Sequence, residues 1–524
     1  MKKLFIPVVF LLINVSVKSQ VKIIFTVYDS VTHGTVAGAT VINSSTKKGS
    51  LTNASGTVTI LSDTTTPHAF VFSMVNYKAK TVVITTTVDT AVIIFLPAIE
   101  NELEEVIVSS SRTNSRLEDL PTKVEVLGAE EVAEENGIKP GNIASLLGDI
   151  AGIQIQQTSA ATGNADMRIQ GVPGKYTQLL RDGMPLFSGY GGSFSILQIP
   201  PLDLQQIELV KGASSTLYGG GAIAGMVNLI SKKPVKGAPV RSVTLNRSTL
   251  NENNINSFFS NQGEKTGYTL FAGSTIQEAF DVNKDGFSDV PGIKSVFIHP
   301  RLFFYADPSS TLVAGYTFNY EDRKGGDMQA LANQKNAEHQ FFIQNKSLRN
   351  TVDINWDKKL DGNAFFTVKG SASFFNRDIN TNVFGMKANQ TSWYTEAAYS
   401  KKGEAYTFVA GVNYNGEDFR KRLPDSSLLT NYNNSTIGLF AQNDYKLNSK
   451  LTAQTGLRTD LVHFTGNKNL LLLPRLSLMY KLNSQFTARV GGGLGYKLPT
   501  PFTAEVDERD YKYLAGLFPT NKAE

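Results

Sequence analysis

From residue 239 onward, apolar and polar side chains alternate one for one over segment after segment. Tyr406, Phe408, Ala410, Val412 and Tyr414 fall on one side of such a run, with Thr407, Gly411, Asn413 and Asn415 opposite. Leu476, Leu478, Tyr480 and Leu482 alternate with Arg475, Ser477, Met479 and Lys481. Leu451, Ala453, Leu457 and Leu461 do the same with Thr452, Gln454, Arg458 and Asp460. A period of two describes β-strands, and an aromatic-rich apolar face opposite a Lys/Arg/Gln/Asn face suits lipid on one side and water on the other. A soluble sandwich alternates similarly but rarely needs strands this long and this numerous in series. Short turns at 307–310, 361–363, 402–404, 448–450 and 483–485 are interleaved with longer polar stretches at 281–294, 321–339, 377–391 and 419–433, and a shorter one at 463–469. Short connections on one side and long ones on the other are the hairpin arrangement of an outer-membrane barrel; about 13 strands fit before Gly495.

Two smaller patterns precede this ladder. Residues 21–97 hold short β-branched runs, such as Ile23 to Val27, Ala69 to Phe72 and Thr81 to Ile84, with turn clusters such as Asn53 to Gly56 between them. They predict a small β-sandwich. Residues 115–233 mix helix candidates at 129–136 and 142–147 with strand candidates at 152–155, 167–170, 178–180 and 207–210, so an α/β domain is expected there. The joining stretch at 104–112 contains Glu105, Val106, Ile107, Val108 and Ser109, a β-prone strip that can add as a strand to a partner's sheet edge.

Four segments of the middle domain are diagnostic together. They are Met167-Arg168-Ile169-Gln170-Gly171; Leu180-Arg181-Asp182-Gly183-Met184-Pro185-Leu186; Ile207-Glu208-Leu209-Val210-Lys211-Gly212; and the run from Thr216 through Tyr218, Gly219, Gly220 and Gly221 to Ile230. In this order they resemble the plug domain of TonB-dependent outer-membrane receptors. Segments 38–41 and 50–56 of the first domain resemble the carboxypeptidase-regulatory-like domain, a module without catalysis. The resemblance implies that residues 105–109 are a Ton box, whose partner is the periplasmic domain of TonB. It also implies that the ladder is a barrel of the 22-strand class that encloses a plug. The expected fold class is therefore mainly β: an N-terminal β-sandwich, an α/β plug domain and a partial antiparallel transmembrane β-barrel, about 13 of 22 strands. The stretch Gly491 to Thr500 resembles a motif inside the family barrel, and the ending Asn521-Lys522-Ala523-Glu524 holds no aromatic-terminated strand, so C-terminal truncation is expected.

Bulk properties narrow the picture. Met1-Lys2-Lys3, an apolar run from Leu4 to Val15 and a small-residue exit near Ser19 predict a signal peptide over 1–19, too short to span a bilayer. Cysteine is absent, which removes a disulfide framework, a thiol nucleophile and a thiolate metal site. A net charge of +5 over 524 residues gives no support to nucleic-acid binding. The glycines at 219–221 lack the Lys-Ser/Thr or strand-to-helix context of a phosphate loop. The five His are scattered, with no His-Glu-x-x-His run, so no enzyme site is read; His33 and His68 are taken as ordinary surface residues.

Candidate site residues follow from these patterns. Arg168, Arg181, Glu208 and Lys211 lie at or near plug strands, where they pair either with barrel-wall acids or within the domain. Asp281, Asn283, Asp285 and Asp289 match the early positions of a calcium loop with Gly286 at the sixth, but Gly292 stands where the bidentate Glu belongs, so Ca2+ is at most a weak ligand of an ordinary hairpin loop. No cofactor is required. By resemblance the function is TonB-dependent, energy-coupled import across the outer membrane, with the plug and first domain on the periplasmic side. A ferric siderophore or similar metal chelate is the expected cargo, ahead of an oligosaccharide, cobalamin or haem; no His stands near Tyr496–Thr500, where haem receptors commonly place one. The reading from a different class is a secreted β-rich adhesin or structural protein.

Overall fold

The computed structural model describes residues 20–502 except 31, 64–66, 75–76, 98–106, 113–114, 160, 187–189, 191–195, 213–214, 423–428 and 484. The expected signal peptide, Glu105, Val106 and the C-terminal residues after 502 therefore lie outside the described residues. Two compact units result, 1–105 and 106–524.

The first unit is a sandwich of two sheets. One holds β1 (Gln20–Asp29), with β4 (Thr57–Asp63) antiparallel on one side and β7 (Thr90–Leu96) parallel on the other. The second runs β3 (Gly49–Leu51), β2 (Thr40–Asn43), β5 (His68–Met74) and β6 (Tyr77–Ile84). Alternate residues of β1 and β5 turn inward, and the ring of Phe25 lies 5.0 Å from both Phe70 and Phe72. His68 corrects the expectation of a surface residue: it begins β5 on the inward register and is buried beside Phe70. His33 is exposed.

The second unit starts with a short hairpin of β8 (Ile107–Val108) and β9 (Ser115–Arg116). A five-stranded sheet follows in the order β10 (Val124–Leu127), β15 (Leu204–Lys211), β16 (Gly225–Ser231), β13 (Thr177–Arg181) and β14 (Met184–Pro185), with β11 (Ile153–Gln157) and β12 (Ala165–Ile169) pairing separately. Helices α1 (Ala129–Ile138) and α2 (Ala144–Gly148) bring Val132, Leu146 and Leu147 onto Ile207, Leu209, Val227 and Leu229. A short α3 (Ser215–Tyr218) precedes the glycine run.

Gly225 shows why that run is glycine. Its φ is +145°, and an added Cβ would stand 2.2 Å from the carbonyl oxygen of Val210 on the neighbouring strand. Gly225→Ala should cost more than about 3 kcal/mol, from backbone strain and a clash that only sheet distortion relieves. Gly237→Ala, at a φ of +78° with open space around it, should cost about 1 kcal/mol. Thermal unfolding of the purified protein checks the contrast; equal midpoints for the two variants would remove the packing argument.

Thirteen antiparallel strands in chain order form the remaining sheet. They are β17 (Val240–Arg247), β18 (Glu252–Gln262), β19 (Thr266–Gln277), β20 (Gly292–Asp307), β21 (Ser310–Gly326), β22 (Phe342–Leu360) and β23 (Ala364–Thr381). After these come β24 (Gly385–Lys402), β25 (Tyr406–Lys421), β26 (Tyr432–Lys446), β27 (Leu451–Phe464), β28 (Asn467–Lys481) and β29 (Thr487–Gly493). A single helical turn, α4 (Met328–Leu331), caps β21. The alternation has the expected sense: Val412 and Tyr414 are exposed while Val409 and Asn413 are buried, and Leu476 and Tyr480 are exposed while Ser477 and Met479 are buried. No described helix is long and apolar enough to cross a membrane.

The connections define two ends of the sheet. One carries the short turns after β20, β22, β24, β26 and β28, and the other the long loops 278–291 and 327–341 and the connection from β25 to β26, most of which lies outside the described residues. The polar stretch 377–391 is not a loop. β23 and β24 run through it and join at 382–384, because Arg377, Asp378, Lys387 and Asn389 belong to strands prolonged beyond any apolar belt. On the inner side of that prolongation Phe375, Ile379, Met386 and Ala388 pack together.

Candidate functional site: the seam between plug and wall

The strip that leads into the middle domain is tied to its central strand. Glu208, buried on β15, accepts the Ser109 amide on Oε1 and the Ser110 amide on Oε2, both at 2.7 Å. Gln206 donates to the Ile107 carbonyl at 3.1 Å, and the Tyr218 hydroxyl donates to the Ser110 carbonyl at 2.8 Å. Two backbone amides on one carboxylate are charge-assisted bonds, so this is the firmest attachment of the strip. Glu208 thus acts within its own domain rather than toward the wall.

Arg112 carries the connection outward. It donates to the Leu217 carbonyl at 2.6 Å and pairs with Glu396 on the inner face of β24, itself bonded to Tyr394. The guanidinium lies 4.5 Å from the Tyr218 ring centre and 4.6 Å from that of Phe440. Burial alone would lower the Arg112 pKa, but Glu396, Tyr394 and Tyr218 outweigh it and the guanidinium is held above its ordinary value.

A second cluster lies where β13 meets β20. Arg181 reaches Asp203 at 2.5 Å and Ser231 at 3.0 Å, and Asp203 also bonds His299 Nδ1 of β20 at 2.7 Å. Asp182, with φ of +51°, accepts the Ser231 amide at 3.0 Å and pairs with Arg301 at 3.1 Å; its own carbonyl accepts from Lys369. Gly183, at a φ of +78°, completes the turn and donates to Asn228. Arg181 and Asp182 therefore take part in a seam with the wall, whereas Lys211 stays inside its domain, 2.7 Å from Glu125. Arg168 stands half-buried on β12 opposite Gln154. Gly171 and Gly212 hold positive φ at turns, and Gly219 admits the Arg458 guanidinium from β27, which would lie 2.8 Å from an added Cβ.

Burial pushes the Asp182 carboxyl up, but Arg301, the Ser231 amide and Arg181 together bring it down to about 2 from an ordinary 3.8. Asp203 is likewise lowered, burial being outweighed by Arg181 and His299. A depressed carboxylate adds stability that is present above the unfolded value and lost as pH falls through the folded one. For Asp182 that window lies between about pH 4 and pH 2 and is worth roughly 2 kcal/mol. The stability gap between the native protein and Asp182→Asn should narrow by that amount between pH 5 and pH 2. A gap that stays constant would contradict the assignment.

Cavities flank the seam. One of about 420 Å3 in the short-turn half is lined by Arg112, Asp182, Arg301, Lys369 and Glu396 among others. Another, of about 170 Å3 toward the long loops, lies between Gln178, Leu186 and Gly221 of the middle domain and Tyr394, Asn434 and Lys497 of the wall. Polar contacts beside these spaces can exchange for water, but the seam also holds dry apolar contacts, of Leu217 and Met226 with Val409 and Phe440 and of Leu202 with Phe258 and Phe271.

The loop at 281–289 turns its oxygens onto its own backbone. Asp281 accepts from Lys284 and Gly286, Asp285 from Phe287, and Asp289 from Val282 and Asn283, while the Asn283 side chain donates to Asp285. Among the described residues no group of three or more His, Asp or Glu converges as a metal site.

Residues 116–226 match the TonB-dependent receptor plug domain, 241–508 the TonB-dependent receptor-like β-barrel, and 26–108 the CarboxypepD_reg-like domain. The chain belongs to the TonB-dependent receptor family. Such receptors are outer-membrane transporters rather than enzymes, so the middle domain is the plug and the outward apolar face meets lipid. The receptor is 22% identical over 411 residues to the vitamin B12 transporter BtuB of Vibrio vulnificus strain YJ016, covering 74% of this chain and 62% of that protein. Its fold resembles the ferric enterobactin receptor of Pseudomonas aeruginosa, with a TM-score of 0.60 and 17% identity over 75% of this chain and 64% of that one. The ferric yersiniabactin uptake receptor of Yersinia pestis gives 0.58 and 14%, over 72% and 66%. The chain thus spans less than two thirds of the length of these relatives.

Arg112, Asp203, His299, Arg301 and Glu396 had not stood out in the sequence. The available signal was a charged residue on the inward register of an alternating strand, as Glu396 is between Tyr394 and Ala398.

Proposed function

We propose that the receptor imports a ferric siderophore or a similar metal chelate across the outer membrane, driven through TonB bound at residues 105–109, with the plug and sandwich on the periplasmic side. The observation that carries the cargo class is the inner surface toward the long loops. There Arg377 donates to the Tyr190 carbonyl at 3.0 Å with its guanidinium 5.4 Å from the Tyr190 ring, and Arg349 lies 4.0 Å from the Phe375 ring. Phe419 stacks on Tyr432 at 5.2 Å and tilts against Phe502. Cations set among aromatic faces suit an anionic chelate with aromatic arms, and because these side chains are buried against Tyr190 of the plug, the chelate reaches them only as Tyr190 moves out. The names of the structural neighbours agree, whereas the B12 transporters favour cobalamin as the second reading.

Fluorescence quenching of the purified receptor separates the two. A ferric tris-catecholate should quench saturably, and Arg377→Ala should weaken it at least tenfold, about 1.4 kcal/mol. Cobalamin binding with no response to the catecholate would overturn the cargo assignment.

A further inference from the structure

The sandwich leaves one long sheet edge open. In the sheet of β4, β1 and β7, the outer edge of β7 is closed by β6: the Lys78 amide donates to the Pro97 carbonyl at 2.8 Å, and Lys80 Nζ caps the Phe95 carbonyl at 3.0 Å. On the facing sheet β3 is only three residues long, and β6 carries Lys78 and Lys80. Short strands, lysines and covering segments are the devices that keep natural sheet edges from pairing. β4 has none of them. From Thr57 to Ser62 it holds no charge, no proline and no bulge against β1, and among the described residues no strand pairs with its outer side.

Register shows which backbone groups are free. Val27 donates to the Gly56 carbonyl at 2.9 Å, and β1 and β4 continue in the same register through Phe25 with Val58, Ile23 with Ile60 and Val21 with Ser62. Hydrogen-bonding direction alternates along a strand, so the N–H and C=O groups of Val58, Ile60 and Ser62 point to β1 and those of Thr57, Thr59 and Leu61 point away. Asn53 takes both groups of Thr57: its Oδ1 accepts the Thr57 amide and its own amide donates to the Thr57 carbonyl, each at 2.9 Å. Thr59 and Leu61 remain, set evenly about Ile60, each offering a donor and an acceptor to solvent. Their side chains are exposed as well, that of Leu61 at 62%.

An edge of this kind is complementary to itself. Two antiparallel β4 strands related by a two-fold axis through Ile60 set Thr59 of one opposite Leu61 of the other, with both groups of each residue facing the partner, for about four backbone hydrogen bonds. Thr59 and Leu61 then cover one another on the outward face as cross-strand pairs. Self-pairing brings identical charges together, and β4 brings none between Thr57 and Ser62. The same stretch holds no charge by which a different partner strand would be selected. We infer that the receptor self-associates through this edge, the β4 strands of two copies joining two three-stranded sheets into one of six. Both copies lie in one membrane, which raises their effective concentration, so a short interface suffices. The pairing requires neither the cargo nor the coupling strip of the reading above.

Cysteine is absent from the chain, so a single introduced thiol reports the contact. Ile60→Cys places two thiols on the axis in a non-hydrogen-bonded pair, with Cα atoms about 4.5 Å apart and within disulfide reach. In outer membranes holding the receptor, mild oxidation should convert Ile60→Cys to a dimer on non-reducing gels at least roughly tenfold more than Ser50→Cys, which lies on the exposed β3. Leu61→Pro removes an amide that β1 does not use, so the sandwich keeps its fold while the edge loses a donor. Added to Ile60→Cys, it should bring cross-linking down to the Ser50→Cys level. Equal cross-linking of Ile60→Cys and Ser50→Cys, an adduct of Ile60→Cys with a different protein in place of the dimer, or a dimer that survives Leu61→Pro would overturn the inference. Where Leu61→Pro lowers the unfolding midpoint of the sandwich, the comparison of Ile60→Cys with Ser50→Cys decides alone.

Discussion

Ile107→Pro should abolish energy-dependent uptake while leaving ligand binding at the cell surface intact. The proposed coupling needs an extended strip whose backbone amides can join a partner's sheet edge, and proline removes one donor and fixes φ. Ile107 is suited to that role. It is exposed, and it is held by the two-residue hairpin of β8 with β9 and by the Gln206 side chain on its carbonyl, ahead of the Glu208 clamp on Ser109 and Ser110. A weak local pairing can be exchanged for a partner strand, whereas the clamp transmits the pull to β15. Ile107→Ala keeps the donor and should transport at a near-native rate, which separates the backbone effect from loss of the side chain. Radiolabelled chelate uptake and surface binding in the same cells give both readouts. Native uptake by the proline variant would remove residues 105–109 as the coupling strip.

Which side of each barrel strand meets lipid was legible in the sequence, because a period of two allows only two assignments and the aromatic side selects one. The plug sheet was legible through its motif order, and α1 and α2 overlap the helix candidates at 129–136 and 142–147. The seam was not. Alternation tells that Glu396 and His299 point inward, but which plug residue each meets depends on how the domain seats in the wall. Arg112 and Glu396 are separated by hundreds of residues and carry no local mark of their pairing. Polarity misled at 377–391 because strands that extend past the apolar belt become polar on their outward side without ceasing to be strands. His68 misled in the opposite direction, since its surroundings are set by the facing sheet and not by its neighbours in sequence. Of the plug charges, Asp182 pairs with Arg301 of the wall, Arg181 bonds Asp203, which in turn bonds His299 of the wall, and Glu208 and Lys211 serve their own domain, a division that only three-dimensional placement makes.

Arg181→Ala should destabilise the receptor by about 3–5 kcal/mol, the range for removing one partner of a buried pair. The side chains of Arg181 and Asp203 are both buried, and the carboxylate that Arg181 neutralises is also the partner of His299 on the wall. Loss of the guanidinium leaves Asp203 in a low-dielectric seam with the imidazole as its side-chain hydrogen-bond partner and the charges of Arg301 and Lys232 farther off, and it removes the partner of Ser231. The loss should be conditional on the carboxylate. Arg181→Met/Asp203→Leu removes both charges and fills the space, so it should cost less than Arg181→Ala and far less than the sum of the single changes. Denaturant unfolding gives the magnitudes, and amide exchange along β13 and β16 should show the plug loosening ahead of the wall. If Arg181→Ala costs under 1 kcal/mol, or if the single changes simply add, the cluster does not anchor the plug, and the other ties across the seam, such as Arg112 with Glu396, Thr122 with Gln454 and Gln198 with Glu321, would be left to hold it.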